Sequence, residues 1–254
     1  MLEQIMSIVR QAGDTVLSAR DIGSQTHKKT SAADLVTEYD VAVESFLREE
    51  LLALLPEAVF LGEEEAGPAR PEEGWAFIVD PIDGTANFVR GLHRSAISVA
   101  LARDGVVEYG VVYDPYADEM FSARRGAGAF LNGAPVHVSE KPLSEGIFSM
   151  GTALYRREYF APTMRLTRQM FERSCDFRRM GAAALDLCDV ACGRVEAFFE
   201  YSLCPWDYAA GSLLVTEAGG AVCTLEGGPL PAVRRCSIWA SNRVNRDVLR
   251  ELEV

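Results

Sequence analysis

The sequence predicts a mixed α/β fold whose two halves differ in character. Three observations carry this. After two amphipathic helices, residues 58–139 read as short strands joined by tight turns, the pattern of an antiparallel meander. From about residue 146, strands alternate with helices, the pattern of an α/β half. The chain of 254 residues is 48% hydrophobic and 24% charged, enough apolar material to bury a sizeable core.

The elements follow in order. Leu2, Ile5, Met6, Val9, Val16 and Leu17 recur at helical spacing over 2–21. A second helix runs from about Asp40 to Leu55, with Val43, Phe46, Leu47, Leu51 and Leu54 on one stripe and Asp40 as its N-cap. The polar stretch GSQTHKKTSAAD between them reads as a loop or mobile hairpin. AVFLG is a short strand running into Glu63, Glu64 and Glu65; AGPARPEEG is a loop; WAFIVD is a buried strand ending at Asp80. SAISVALA and VVEYGVVY flank Asp104-Gly105, a pair that supplies the positive φ of a hairpin turn. EMFSARR, GAFLNG and PVHVS continue the meander to the linker SEKPLSEG. That linker divides the chain into subdomains 1–142 and 143–254.

In the second half GIFSMG, CDFRRM, VEAFFEY, AVCTLEG and SIWASN read as strands. PTMRLTRQMFERS, GAAALDLCDVACG, PWDYAAGSLLVTEAGG and the closing RVNRDVLRELE read as helices. Gly193 and the pair Gly219-Gly220 end two of them.

Charge narrows the function classes. Lys plus Arg is 25 and Asp plus Glu is 37, a net charge of −12. So acidic a chain lacks the electrostatic footprint for nucleic acid or anionic lipid. No apolar stretch approaches the roughly 20 residues that span a bilayer. The start, MLEQIMSIVRQAGD, has neither a basic region nor a cleavage site, so a cytoplasmic location is expected. Six cysteines all lie in the last third and form no CxxC pair, which reads as reduced thiols. His27, His93 and His137 are far apart and show no zinc spacing.

The most informative segment is Asp80-Pro81-Ile82-Asp83-Gly84-Thr85-Ala86-Asn87-Phe88. An apolar strand delivers Asp80 to its end, Pro81 stops the ladder, and one tight turn aims Asp83 at the same point. Hard divalent cations such as Mg²⁺ prefer carboxylate oxygens. Gly84-Thr85 then opens a helix whose N–H groups face an anion. A capped turn is the competing reading, with Asp83 as an Asx-turn residue. Asp40, Glu63 and Asp207 also sit at element ends, where α/β sites gather; Asp40 and Asp207 equally suit N-caps, and Glu63 a solvated acid.

Taken together, Gly62-Glu63-Glu64, the Asp80–Phe88 segment and Trp206-Asp207-Tyr-Ala-Ala-Gly211 resemble the inositol monophosphatase family, Mg²⁺-dependent and lithium-sensitive phosphatases. Asp34-Leu-Val-Thr37-x-x-Asp40 and Thr216-Glu-Ala-Gly-Gly220 extend the likeness over nearly the whole chain. The resemblance implies a layered αβαβα sandwich, with an antiparallel sheet in the first half and a mixed sheet in the second, and a homodimer. It implies two to three Mg²⁺ ions. Glu63, Asp80 and the Ile82 carbonyl would hold one; Asp80, Asp83 and Asp207 a second; Glu63 and Asp40 a third. Asp40 and Thr85 would position the attacking water, with Glu63 beside them, and the Gly84 and Thr85 amides would bind phosphate. Glu200 would contact substrate hydroxyls, Asp207 would reach the substrate as well as metal, and Gly181-Ala182-Ala183 would form a backbone loop at the substrate. Lys29 would sit on a metal-site loop.

The departures concern specificity. Ala182 stands where animal members usually have Thr, which removes one hydroxyl contact. Arg156 and Arg157 lie in a poorly matching stretch and either touch an anionic substrate or are surface charges. The implied activity is Mg²⁺-dependent hydrolysis of a small phosphomonoester, inositol 1-phosphate to inositol and phosphate. Fructose 1,6-bisphosphate and 3′-phosphoadenosine 5′-phosphate are rival substrates, and a non-catalytic binding module is the rival class. Ala86-Asn87-Phe88 after the Asp-Gly-Thr favours the inositol branch. The physics agrees with the chemistry: a phosphate dianion cannot enter a bare carboxylate cluster, and bound cations reverse the local sign.

Overall fold

The computed structural model describes residues 1–20, 22, 26–28, 35–64, 72–154, 156–231 and 233–254, with backbone alone at 26–28 and 35–36. Two sheets organise it. The first has seven strands in the order β3-β4-β5-β6-β7-β8-β9. They are β3 (Val59–Gly62), β4 (Trp75–Asp83), β5 (Ala96–Arg103), β6 (Val106–Asp114), β7 (Glu119–Arg124), β8 (Ala129–Leu131) and β9 (Ala134–Val136). From β4 onward neighbours are antiparallel, as the meander pattern predicts, while β3 joins β4 in parallel.

The second sheet has five strands in the order β11-β10-β12-β14-β13. They are β10 (Ile147–Met150), β11 (Asp176–Arg178), β12 (Ala197–Leu203), β13 (Ala221–Cys223) and β14 (Cys236–Ser241). Pairing is parallel at β10 with β11 and β12, and antiparallel at β14 with β12 and β13. A separate hairpin pairs β1 (Thr26–Lys28) with β2 (Leu35–Thr37).

Side-chain parity sets the layers. On β4, Phe77 and Val79 face α1 (Leu2–Ser18) and α2 (Glu38–Leu54), packing with Ile5, Val9, Val43 and Leu47. Ile78, on the opposite face, packs with α5 (Ala183–Ala191) and α6 (Pro205–Glu217). On β12, Phe198 faces that same helical layer, and Phe199 faces away toward Leu166 and Met170 of α4 (Phe160–Phe171). The order is α1/α2, sheet, α5/α6, sheet, α4: the layered αβαβα sandwich. A sheet covered on both faces needs near-continuous apolar strands, and β4 supplies one, buried from Ala76 to Asp83. Each large side chain so buried contributes roughly 1.5–3 kcal/mol. The middle layer is thin because α6 lies directly on β6: a Cβ at Gly110 would stand 2.8 Å from the Ala210 carbonyl oxygen.

Several local expectations are corrected. The α2 N-cap is Thr37, and Asp40 is the third helical residue, completing a capping box. Thr37-x-x-Asp40 is itself such a pattern, and the reciprocal bond satisfies two donors where a single Asp40 cap satisfies one. Pro81 does not end β4; the strand continues to Asp83 through a register shift between Asp80 and Asp83, a bulge that absorbs the missing proline N–H. The closing helix shrinks to a 3₁₀ turn at Val248–Glu251. Its upstream half is captured by Asn245, which accepts from Leu143 N at 2.8 Å and donates to the Lys141 carbonyl at 3.0 Å. All six cysteines are free thiols, and no described helix is long and apolar enough to cross a membrane.

Candidate active site

A cavity of about 370 Å³ is lined by Glu63, Asp80, Asp83, Thr85, Glu200 and Asp207, together with Ile82, Gly84, Gly181, Ala182 and Ala183. Different elements deliver them. Glu63 follows β3, and Asp80 and Asp83 end β4. Gly84 and Thr85 open α3 (Thr85–Val89), Ala182 and Ala183 open α5, Glu200 sits on β12, and Asp207 lies in the first turn of α6.

Backbone amides hold Asp80, Asp83, Asp207 and Asp40. Asp80 accepts from Ile82 N at 3.1 Å, so the Asx turn belongs to Asp80 rather than Asp83. Asp83 accepts from Ala183 N at 3.2 Å and Ala184 N at 2.8 Å, which satisfies two donors at the start of α5. Asp207 accepts from Cys204 N at 2.6 Å and Asp40 from Thr37 N at 2.8 Å. Asp40 and Asp207 therefore occupy the same position, third in a capping box, and neither is the N-cap. Thr85 Oγ1 donates toward the Ile82 carbonyl at 3.1 Å and Asp40 Oδ1 at 3.3 Å, joining Asp40 to the pocket wall. Gly84 has φ of +84°, and a Cβ there would stand 3.0 Å from the Gly181 carbonyl oxygen, so this position requires glycine on both counts.

The electrostatics are those of crowded acids. Burial pushes the Asp80 carboxyl well above its ordinary range, and Glu63, Asp83, Asp207 and Asp40 push it further. Asp207 is raised in the same way, by burial and then by Glu63 and Asp83. Burial raises Asp83 to about 7 against the two α5 amides, which favour its charged form. Glu200 is also raised to about 7 by burial, against the Ala153 amide that it accepts from at 2.7 Å. Asp207 and Glu200 keep some surface toward the cavity, but burial still dominates.

This donor set fits a hard cation. It is all oxygen, four carboxylates and a carbonyl, and its mutual repulsion is relieved by positive charge. Among the described residues no three acidic, histidine or cysteine side chains already converge on one coordination point. The fit is therefore one of chemistry and placement along a shared wall.

Some residues at the site carry no sequence signal that singles them out. Glu44, buried on α2, accepts from Glu64 N at 2.9 Å and so fixes the chain beside Glu63; a Cβ at Gly62 would collide with it. Asn87 Nδ2 donates to the Arg94 and Met180 carbonyls at 2.8 and 2.9 Å, tying the Asp-Gly-Thr segment to the loop before α5. Asp186, Arg179 and Arg235 line the cavity too. So does Cys204, whose sulfur accepts the Asp207 amide as the α6 N-cap. Arg156 lines an adjoining cavity that Arg157 does not. Lys29, Asp34 and Glu65 lie outside the described residues.

The sequence model of the inositol monophosphatase family matches residues 1–253. The chain belongs to the inositol monophosphatase family. An inositol-1-monophosphatase of Rhizobium meliloti is 39% identical over 256 residues, covering 99% of this chain and 95% of that protein. The Nus factor SuhB of Pasteurella multocida is 35% identical, covering 100% and 96%. Among solved structures, the extragenic suppressor protein suhB of Bartonella henselae superposes with a TM-score of 0.89 at 35% identity, covering 98% and 96%. The family is one of phosphatases and is generally metal-dependent, in keeping with the all-oxygen wall of the cavity.

Proposed function

We propose that this cavity hydrolyses a small phosphomonoester with Mg²⁺, and that inositol 1-phosphate is the substrate. The observation that carries the reading is the gathering of Glu63, Asp80, Asp83 and Asp207 on one wall beside the Gly84 and Thr85 amides. Two to three ions are assigned: Glu63, Asp80 and the Ile82 carbonyl for one, Asp80, Asp83 and Asp207 for another, Glu63 with Asp40 for a third. When bound, Mg²⁺ offsets the carboxylate charge, acidifies a water and stabilises the leaving alkoxide.

The chain's own groups do the rest. The Thr85 hydroxyl proton is directed to Ile82 O or Asp40 Oδ1, so its lone pairs are left to accept from a water and orient it. The Gly84 and Thr85 amides hold phosphate oxygens. The Ala183 amide is engaged by Asp83, which shifts the substrate contacts of that loop to Gly181 and Ala182. Glu200 accepts from a substrate hydroxyl, and Asp207 reaches the same end of the substrate. No histidine lines the cavity among the described residues, and the Cys204 sulfur serves the α6 cap, so a water nucleophile suits the site better than a covalent one.

The test is phosphate release across inositol 1-phosphate, fructose 1,6-bisphosphate and 3′-phosphoadenosine 5′-phosphate with Mg²⁺. Inositol 1-phosphate should have the highest kcat/KM of the three. The relative named Nus factor favours a second reading, a binding role beside or in place of catalysis; absence of turnover on every ester would select it.

A further inference from the structure

Arg94 stands behind the Gly84–Asn87 segment. It lies in the connection from α3 to β5, two residues before Ala96, which pairs with Asp83. Its carbonyl meets that segment twice. It accepts from Asn87 Nδ2 at 2.8 Å, and a Cβ at Gly84 would stand 3.1 Å from it. The preceding residue, His93, has φ of +54°, a conformation that residues other than glycine seldom adopt, and its ring stacks on Tyr116 with centroids 4.7 Å apart.

The Arg94 side chain is fixed separately. Nη2 donates at 2.5 Å to Oδ2 of Asp189, a buried carboxylate on α5. Nε has no hydrogen-bond partner, so among the described residues Asp189 is the only group that bonds the guanidinium. Asp83, Asp186 and Asp114 also lie within its field, but none of the three hydrogen-bonds it. Asp189 Oδ1 in turn accepts from Arg194 Nη1 at 3.3 Å, and Arg194 pairs with Glu119 on β7. A buried ion pair is a poor source of net stability, because desolvation offsets its attraction. What it does here is fix the Arg94 segment against α5. The same helix holds Asp83 through the Ala183 and Ala184 amides. One helix therefore sets both ends of the turn that carries Gly84 and Thr85.

We propose that Arg94 is a positioning residue for phosphate: clamped by Asp189, it fixes the Gly84–Asn87 segment against α5 so that the Gly84 and Thr85 amides are aligned before the substrate arrives. Amides already in place lose no freedom on binding, and that is the clamp's contribution. The inference rests on the reading of those amides as the phosphate cradle. Two accounts compete with it. In one, Arg94 attracts phosphate by charge alone; in the other, the network serves general stability.

Calorimetric titration with inorganic phosphate in the presence of Mg²⁺ separates the three, with the unfolding temperature measured alongside. Arg94→Met leaves Asp189 paired with Arg194 and so orphans no charge; it should weaken phosphate binding about fivefold or more. Asp189→Asn should weaken it about threefold or more, because one carboxamide oxygen cannot serve both arginines. Asp189→Asn is decisive in sign: it removes a negative charge, so attraction by charge alone requires tighter binding. Arg194→Met removes the outer pair and keeps the contact of Arg94 with Asp189. It should lower the unfolding temperature and leave phosphate affinity within about twofold. In Arg94→Met and Asp189→Asn, KM for inositol 1-phosphate should rise in step with the phosphate dissociation constant, and kcat should change less. Unaltered phosphate affinity in Arg94→Met, tighter binding in Asp189→Asn, an equal loss in Arg194→Met or a fall confined to kcat each overturns the clamp. If the wild type binds phosphate but hydrolyses no ester, the phosphomonoesterase reading fails, and the same three affinities still decide the clamp. If the wild type binds no phosphate, cradle and clamp fall together.

Discussion

Asp83, at the end of β4, receives the Ala184 amide across 101 residues at 2.8 Å, so one carboxylate both faces the acidic pocket and closes the first turn of α5. The same group accepts from Ala183. The two roles set the expected behaviour of Asp83→Asn. Its carboxamide can accept only one of the two amides and turns an N–H toward the other, at a cost of about 1–3 kcal/mol. Relief of charge repulsion opposes this weakly, because burial already raises Asp83 to about 7 and part of its charge is absent at neutral pH. Metal-free Asp83→Asn should therefore be less stable than wild type in urea unfolding at pH 7, and should lose more than about tenfold in kcat, 1.4 kcal/mol of barrier. Equal stability would mean that the α5 amides are satisfied otherwise.

Thr85→Ala should lower kcat roughly tenfold or more with little change in KM, since its hydroxyl orients a water used in the transition state. Thr85→Ser, which keeps the donor to Ile82 O and Asp40, should restore most of the rate. Steady-state kinetics on both variants checks this; a KM effect alone would assign Thr85 to substrate binding.

Glu200→Gln should reduce kcat/KM on inositol 1-phosphate more than on an aryl phosphate without hydroxyls. It also carries a pH signature. Burial raises the Glu200 carboxyl from 4.5 to about 7. A raised acid costs stability only once it ionises, so the penalty is absent below about pH 4.5, grows as pH climbs, and is complete above about 7. The metal-free variant should gain stability over wild type at pH 8 relative to pH 5. The expected gain is about 1–2 kcal/mol, discounted from the full shift because one side of the residue faces the cavity. A pH-independent difference would contradict this.

Asn87→Asp should destabilise the protein and impair catalysis together. The carboxylate has no donor for the Arg94 and Met180 carbonyls, now reached at 2.8 and 2.9 Å. Each orphaned carbonyl costs about 1–3 kcal/mol, and the loop carrying Gly181 loses its tie. Thermal unfolding and kcat should fall in parallel.

Much of this was legible in the sequence because strand period, helix stripe and turn chemistry are local. Asp80 to Thr85 announced a site because an apolar strand must end where acids and a glycine gather. Asp40 and Asp207 looked like caps and proved to be third-position carboxylates, a distinction that depends on which upstream side chain reciprocates. What escaped were relationships between distant segments. Glu44 reaches Glu64, Asn87 reaches Met180, and Arg179 and Arg235 flank Glu200. No periodicity encodes such meetings; they arise when the layers close. The closing helix failed for the same reason, since Asn245 serves Lys141 and Leu143 rather than its own segment.

The central claim is that the carboxylate wall acts with Mg²⁺ on a phosphate ester. Its most direct measurement is phosphate release from inositol 1-phosphate by chelator-stripped protein as Mg²⁺ is titrated, with the unfolding temperature followed in parallel. Stripped protein should be inactive, activity should rise saturably with Mg²⁺, and the unfolding temperature should climb over the same concentrations, as binding to the folded state requires. Turnover that is indifferent to Mg²⁺, or a rise in unfolding temperature without any phosphate release, would contradict the account.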